Sequence, residues 1–237
     1  MATRRDRRRT ETVDNIKATA RAQLADGGPT EISMRAIARH LDMTASAVHY
    51  YFPSRQALLQ ALIVDGFASL AEALRTAYDE VRSRPPADQW LGVCRAHRAW
   101  ALRQPSEYQL LYGHNAGRIV AIGELHAFQA VVAVLFSIMR GAVAIDEIDT
   151  GRIEAGAPPS LRRQLAAWRE GDANLADLPD GALAACLITY AQLHGAITLE
   201  LLAHVPLPLS DCPALFDLEM THAYAALCRR PARDRKA

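Results

Sequence analysis

Cysteine is scarce in this 237-residue chain, and the four present, Cys94, Cys186, Cys212 and Cys228, include no C-x-x-C pair. In a reducing cytosol they are expected to be free thiols that behave as small apolar residues. Metal-ligand spacing is missing as well. Cys94 and His97 lie three apart and Cys186 and His194 eight apart, whereas a zinc site wants three or four converging ligands, so no metal is expected. No G-x-S-x-G, phosphate loop, H-E-x-x-H or dinucleotide fingerprint occurs, and no cofactor is implied. The carboxylates Asp146, Glu147 and Asp149 fall in a polar stretch that reads as solvated surface, so an enzymatic role is not expected. No apolar run approaches the ~20 residues of a membrane span, and no cleavable signal precedes the first helix. The expectation is a soluble, cytoplasmic protein with no membrane partner and no internal repeat.

Half of the residues are hydrophobic, enough to bury a sizeable core. The net charge of +1 hides an asymmetry. Residues 1–55 carry ten Lys/Arg against six Asp/Glu, and the remainder carries seventeen against twenty. The positive excess sits at one end, which suits attraction to a polyanion. Residues 1–9, with Arg4, Arg5, Arg7, Arg8 and Arg9, read as a disordered basic arm that orders along a minor groove when DNA is present.

The most informative stretch follows. Met34, Ile37 and Leu41 recur at offsets of three and four, which places them on one face of a short helix. Ser33 is placed to cap it with its hydroxyl, and the helix start is a natural phosphate contact. Asp42, Met43 and Thr44 break the pattern, and Thr44 caps a second short helix. Val48 and Phe52 turn toward the first helix, leaving Ala45, Ser46, Ala47, His49 and Tyr50 outward. Small residues at the front let such a helix sit deep in a major groove, with polar tips reaching base edges or phosphate. Pro53 ends it. Ser54 and Arg55 start the next helix, with a cation where a DNA backbone would pass.

Residues 10–60 resemble the N-terminal DNA-binding domain of TetR/AcrR-family transcriptional regulators, through Ser33, Arg35, Ile37 and Ala38, then Phe52, Pro53, Ser54 and Arg55. One departure is visible: His49 stands where the family usually has a phosphate-donating Tyr. The resemblance implies an all-α fold, with an N-terminal three-helix helix-turn-helix domain followed by a helical ligand-binding and dimerisation domain. The expected division is a basic arm at 1–9, the DNA-binding domain at 10–56, an effector-binding and dimerisation body at 57–230, and a flexible tail at 231–237. Double-stranded DNA bearing a palindromic operator is the expected partner. Arg35 is the candidate for a guanine contact, since its fork matches two acceptors on that base. Ala45, Ser46, Ala47 and Tyr50 would face bases, and Ser33, Thr44, His49 and Arg55 would hold phosphates.

Helix one is expected from about Thr10 to Ala25, ended by Gly27, Gly28 and Pro29. Helix four is expected from Arg55 to about Arg82, spanning about 40 Å and carrying Leu59, Leu62, Phe67, Leu70 and Leu74. Beyond residue 87 the patterns predict helices near 88–103, 105–112, 121–142, 160–170, 180–204 and 213–229, and the polar stretch Asp146 to Pro159 reads as a loop. Ala191-Gln192-Leu193-His194-Gly195, with Leu199-Glu200-Leu201, is similar to the L-H-G-x-x-x-L-E-L element of one group of TetR ligand-binding domains. The segment from Pro105 to Gly113 is similar to the short helix that precedes it. That resemblance implies an effector pocket in the body and dimerisation through the last two long helices. Dimerisation has an independent reason, because one short recognition helix reads only a few base pairs and a two-fold pair reads both halves of a palindrome. Trp100, Tyr108, Tyr112, His126, Phe128, Tyr190 and His194 are the candidate lining of a pocket for an unidentified small, largely apolar effector. Each also fits ordinary core, and His194 could instead satisfy a backbone carbonyl. Two alternatives stay open: a regulator with no effector, and a ligand-binding protein or enzyme that has lost DNA binding.

Overall fold

The computed structural model describes residues 3–113, 122–202 and 212–229, with backbone alone for 122–126. Among the described residues the chain is helical, without a strand; one isolated antiparallel bridge pairs Ile148 with Cys228. The helices are α1 (Arg4–Gly27), α2 (Met34–His40), α3 (Ala45–Tyr51), α4 (Arg55–Val81), α5 (Pro86–Arg103), α6 (Pro105–Tyr112), α7 (Ile122–Ala144), α8 (Thr150–Gly156), α9 (Pro159–Gly171), α10 (Asp180–Leu201) and α11 (Cys212–Ala225). The described residues form two compact units, one from those up to 72 and between 100 and 131, the other from those between 73 and 99 and from 132 onward.

In the first unit, Ile16, Ala20 and Leu24 of α1 are buried with Ile37 and Ala38 of α2, Val48 of α3, and Leu58, Leu62, Ile63, Phe67 and Leu70 of α4. The breaks between these helices are chemically determined. Gly28 takes φ +79°, a left-handed conformation that costs glycine no steric clash, and its amide donates to the Leu24 carbonyl to close α1. Ion pairs tie three helices of this unit together. Lys17 and Arg21 of α1 meet Asp65 of α4 at 2.9 and 2.8 Å, and Arg21 also meets Glu107 of α6 at 2.9 Å. At Gly66 the side chain of Leu111 lies close enough that a Cβ would stand 3.2 Å from it, so α6 sits tightly against α4 there.

In the second unit α5 is fastened to α10 and α11. Trp90 donates from its indole to the Met220 carbonyl at 2.8 Å. Arg95 grips Asp217 with two bonds of 2.9 and 2.7 Å, and Arg98 grips Glu200 in the same bidentate manner while standing 5.5 Å over the Phe216 ring. Val93, Cys94, Ile138, Met139, Leu183, Leu193 and Ile197 belong to its core.

Three expectations are corrected. Helix α1 begins at Arg4 and takes residues 4–9 into a helix, because Thr3 and Asp6 form a reciprocal capping box across Arg4 and Arg5. The stretch from Asp146 to Pro159 contains α8, whose first turn is capped by the Asp149 carboxylate accepting from the Arg152 amide. By length and composition three helices are apolar enough to cross a bilayer, Arg55–Val81, Ala127–Ala144 and Asp180–Leu201. None of the three is an uninterrupted apolar run of that length; in α4, for example, Asp65 and Glu72 interrupt the pattern without making the helix polar. The tail at 231–237 lies outside the described residues.

Candidate nucleic-acid interface

The two short helices of the head are held by side-chain caps. The Ser33 hydroxyl accepts from the Ala36 amide at 3.3 Å, and the Ser33 amide donates to the Gln23 side chain of α1 at 2.9 Å. The Thr44 hydroxyl accepts from the Ala47 amide at 3.2 Å and shares a 3.0 Å bond with the Ser46 hydroxyl. Between the helices Asp42 adopts φ +51°, a left-handed turn residue that lets them close on each other. Val48 is fully buried and Phe52 nearly so, which fixes the rotation of α3. Thr44, Ala45, Ser46, His49 and Tyr50 are consequently exposed, Ala47 is half-buried, and Ser33 and Arg35 are exposed at the start of α2.

Two of the proposed phosphate contacts have additional local duties. Nδ1 of His49 lies 3.2 Å from the Pro53 carbonyl, and because a carbonyl only accepts, the ring proton sits on Nδ1. Nε2 of a neutral ring is then an acceptor, so donating to phosphate requires a second proton. Arg55 donates from Nε to the Ile32 carbonyl at 3.0 Å and from a terminal nitrogen to the Pro29 carbonyl. It pins the turn between α1 and α2 onto the start of α4, a role of which sequence spacing gives no sign. Ser54 caps α4 by accepting from the Ala57 amide at 3.1 Å.

The aromatic and polar candidates of the body form two groups. In the first unit Phe67 is the centre: its ring lies 5.8 Å from Tyr112 and 5.6 Å from Phe128, and Tyr112 lies 5.0 Å from Tyr108. Trp100 is buried there and donates to the Ser69 hydroxyl at 3.1 Å. In the second unit His194 lies 4.2 Å from Tyr190 and 5.0 Å, edge-on, from His97. Burial holds the His97 ring well below the usual histidine range, with the neighbouring His194 adding to the effect, and burial brings His194 down to about 4. Both rings are therefore neutral at pH 7. In sequence His97 stands out only as a neighbour of Cys94, whose thiol burial pushes well up. The side chain of His126 lies outside the described residues. The four cysteines are free thiols, and burial pushes Cys186 to about 12.

On the surface of the second unit α10 and its C-cap residue Leu202 carry an exposed stripe, Ile188, Gln192, Gly195, Leu199 and Leu202, at alternating steps of four and three. Its other side buries Leu183, Cys186, Leu193 and Ile197. A Cβ added to Gly195 would meet nothing within 4 Å, so the gap it leaves opens outward. Leu218 of α11 is exposed as well.

Comparison with known proteins agrees with this architecture. Residues 16–62 match the family described as bacterial regulatory proteins, tetR family, and residues 90–223, more than half of the chain, match the tetracyclin repressor-like C-terminal domain. The HTH-type transcriptional regulators Rv1816 of Mycobacterium tuberculosis and Mb1846 of Mycobacterium bovis are each 31% identical over 215 residues, 90% of either chain. Among solved structures the regulatory protein SCO4313 superposes with a TM-score of 0.73 at 28% identity, covering 93% of this chain and 98% of that one. A Rhodococcus sp. RHA1 protein of unknown function shares the fold, with a TM-score of 0.68 at 21% identity over 92% of this chain and 95% of its own. A capped helix-turn-helix head and a helical C-terminal domain, both matched to one family, make this chain a member of the TetR family of transcriptional regulators.

Proposed function

We propose that the protein is a repressor that binds a palindromic operator as a homodimer and is released by a small, largely apolar effector. The observation that carries this reading is the outward set on α3, small residues at its start and polar tips behind, held in rotation by the buried Val48. Arg35 supplies the guanine contact; Ala45, Ser46, Ala47 and Tyr50 lie against base edges; Ser33, Thr44, His49 and Arg55 line the backbone. Dimerisation is supported by the second apolar side of α10. A helix that has already filled its own core face and still exposes Ile188 and Leu199, continued at heptad-like spacing by its C-cap Leu202, is built to meet another helix.

Release by an effector is a population shift. The ligand acts only through a higher affinity for a conformation in which the two recognition helices no longer match successive major grooves. The aromatic group around Phe67 supplies apolar surface for such a ligand, and Arg21 connects the neighbouring Glu107 to the head through α1.

Footprinting on the region upstream of the gene, followed by titration with duplexes carrying one base change each, tests the reading. A protected inverted repeat is expected, and Arg35→Ala should relax the preference at one position in each half-site. Protection that is absent, or equal loss across all operator variants, would contradict it.

A further inference from the structure

Helix α1 extends beyond the part of the head against which it packs. Its inward stripe, Leu24, Ala20 and Ile16, continues toward the N-terminus at the same pitch as Thr12, Arg9 and Arg5. The stripe that is core at one end is cationic at the other. Arg4 and Arg8 also line the cleft, to one side of that stripe, whereas Arg7 falls on the opposite side of the helix from Arg5 and Arg9. The arginines of the stripe line an open cleft of about 900 Å³ whose other wall is Tyr50 and Tyr51 of α3. The Arg9 guanidinium stands 5.8 Å above the Tyr50 ring, and that ring, 66% exposed, is buttressed edge-on by Tyr51 at 5.2 Å. Asp6 is the one carboxylate in the lining, and it accepts from the amide and hydroxyl of Thr3 at 2.9 and 2.8 Å. The cap both engages that carboxylate and sets the helix on which the arginines are spaced.

Such a cleft suits an extended polyanion. It is open and its cations are exposed, which is too solvated a setting to hold a single small anion, and it shares Tyr50 with the recognition helix. We propose that the first turns of α1 and the aromatic end of α3 form a phosphate clamp on duplex DNA, gripping the backbone beside the bases that α3 reads. The clamp adds affinity without sequence preference, and stacking on Tyr50 pre-orients the Arg9 fork. This inference rests on the DNA-binding reading above.

The test is fluorescence anisotropy with the full chain and two labelled duplexes of about 30 base pairs, one from the region upstream of the gene and one scrambled, between about 50 and 300 mM KCl. The variants are Arg5→Gln with Arg9→Gln, Arg9→Lys, and Arg7→Gln on the opposite face, each checked for an unchanged thermal melt. The double variant should weaken binding to both duplexes by a similar factor, about tenfold or more. It should also flatten the slope of log K against log salt by roughly 0.9 for each phosphate that is no longer neutralised. Arg9→Lys should lie between wild type and the double variant, and Arg7→Gln should stay within about twofold of wild type. Wild-type affinity and slope in the double variant would overturn the clamp alone. So would a loss confined to the upstream duplex, or an equal loss in Arg7→Gln, which would mark diffuse tail charge. Wild-type protein that binds neither duplex at low salt would overturn the functional reading and the clamp together.

Discussion

His97 and His194 are two rings placed edge to face in the interior of the second unit, where an imidazolium would be poorly solvated. Their folded-state affinities for protons are depressed below the ordinary value of 6.5, so in mildly acidic solution the unfolded chain binds more protons than the folded one. The stability that depends on these two neutral rings is accordingly full above pH 6.5 and is lost as pH falls toward about 4. Asp177 and Asp217, held below the usual carboxylate range by hydrogen bonds from Arg140 and Arg95, lose their contribution only at lower pH. Thermal melts between about pH 7.5 and 4.5 should show a falling midpoint for the wild type and a visibly flatter profile for His97→Asn combined with His194→Asn. Parallel profiles would mean that other groups carry the acid sensitivity. Arg55 gives a second prediction at this scale. Because its guanidinium holds the Pro29 and Ile32 carbonyls, Arg55→Ala should lower unfolding stability by about 1–2 kcal/mol in urea titration, in addition to weakening DNA binding. DNA binding abolished with stability untouched would show that the carbonyl contacts contribute nothing.

Among the elements, those legible in sequence are the ones fixed by local chemistry. Helices α2 and α3 are legible because Ser33, Thr44 and Pro53 punctuate them and Ile37 and Val48 set their inner faces. Helix α8 is not, since its seven residues, Thr150–Gly156, hold one large apolar side chain, Ile153. Its support is tertiary: at Gly181 the α10 backbone approaches so closely that a Cβ would lie 2.1 Å from the Thr150 carbonyl oxygen. Gly181→Ala should therefore destabilise the fold by about 1–3 kcal/mol or more, read as a lowered melting midpoint, because backbone rather than a side-chain tip must shift. An unchanged midpoint would show that α8 is loosely held. The start of α1 is available in principle, as Thr3-x-x-Asp6 is a capping pattern, but a run of arginines without apolar residues hides it. The grouping of Tyr112 and Phe128 about Phe67, and of His97 with His194, depends on which helices become neighbours. Periodicity along one helix carries no such information.

For the whole molecule, symmetry carries the most weight. On the proposed reading, one seven-residue helix such as α3 would meet too few base pairs to select an operator, so that reading requires the exposed stripe on α10 to pair two subunits. Ile188→Glu with Leu199→Glu should give a folded monomer by sedimentation, with operator affinity reduced at least about tenfold; a dimer of wild-type strength would place the interface elsewhere. The most direct measurement of the central claim is selection from a random duplex pool with the wild-type protein and with Arg35→Ala. The expected result is that wild type enriches an inverted repeat, and that the variant loses its preference at the same position of both half-sites. Enrichment of a single unrepeated motif, or no enrichment at low salt, would contradict it.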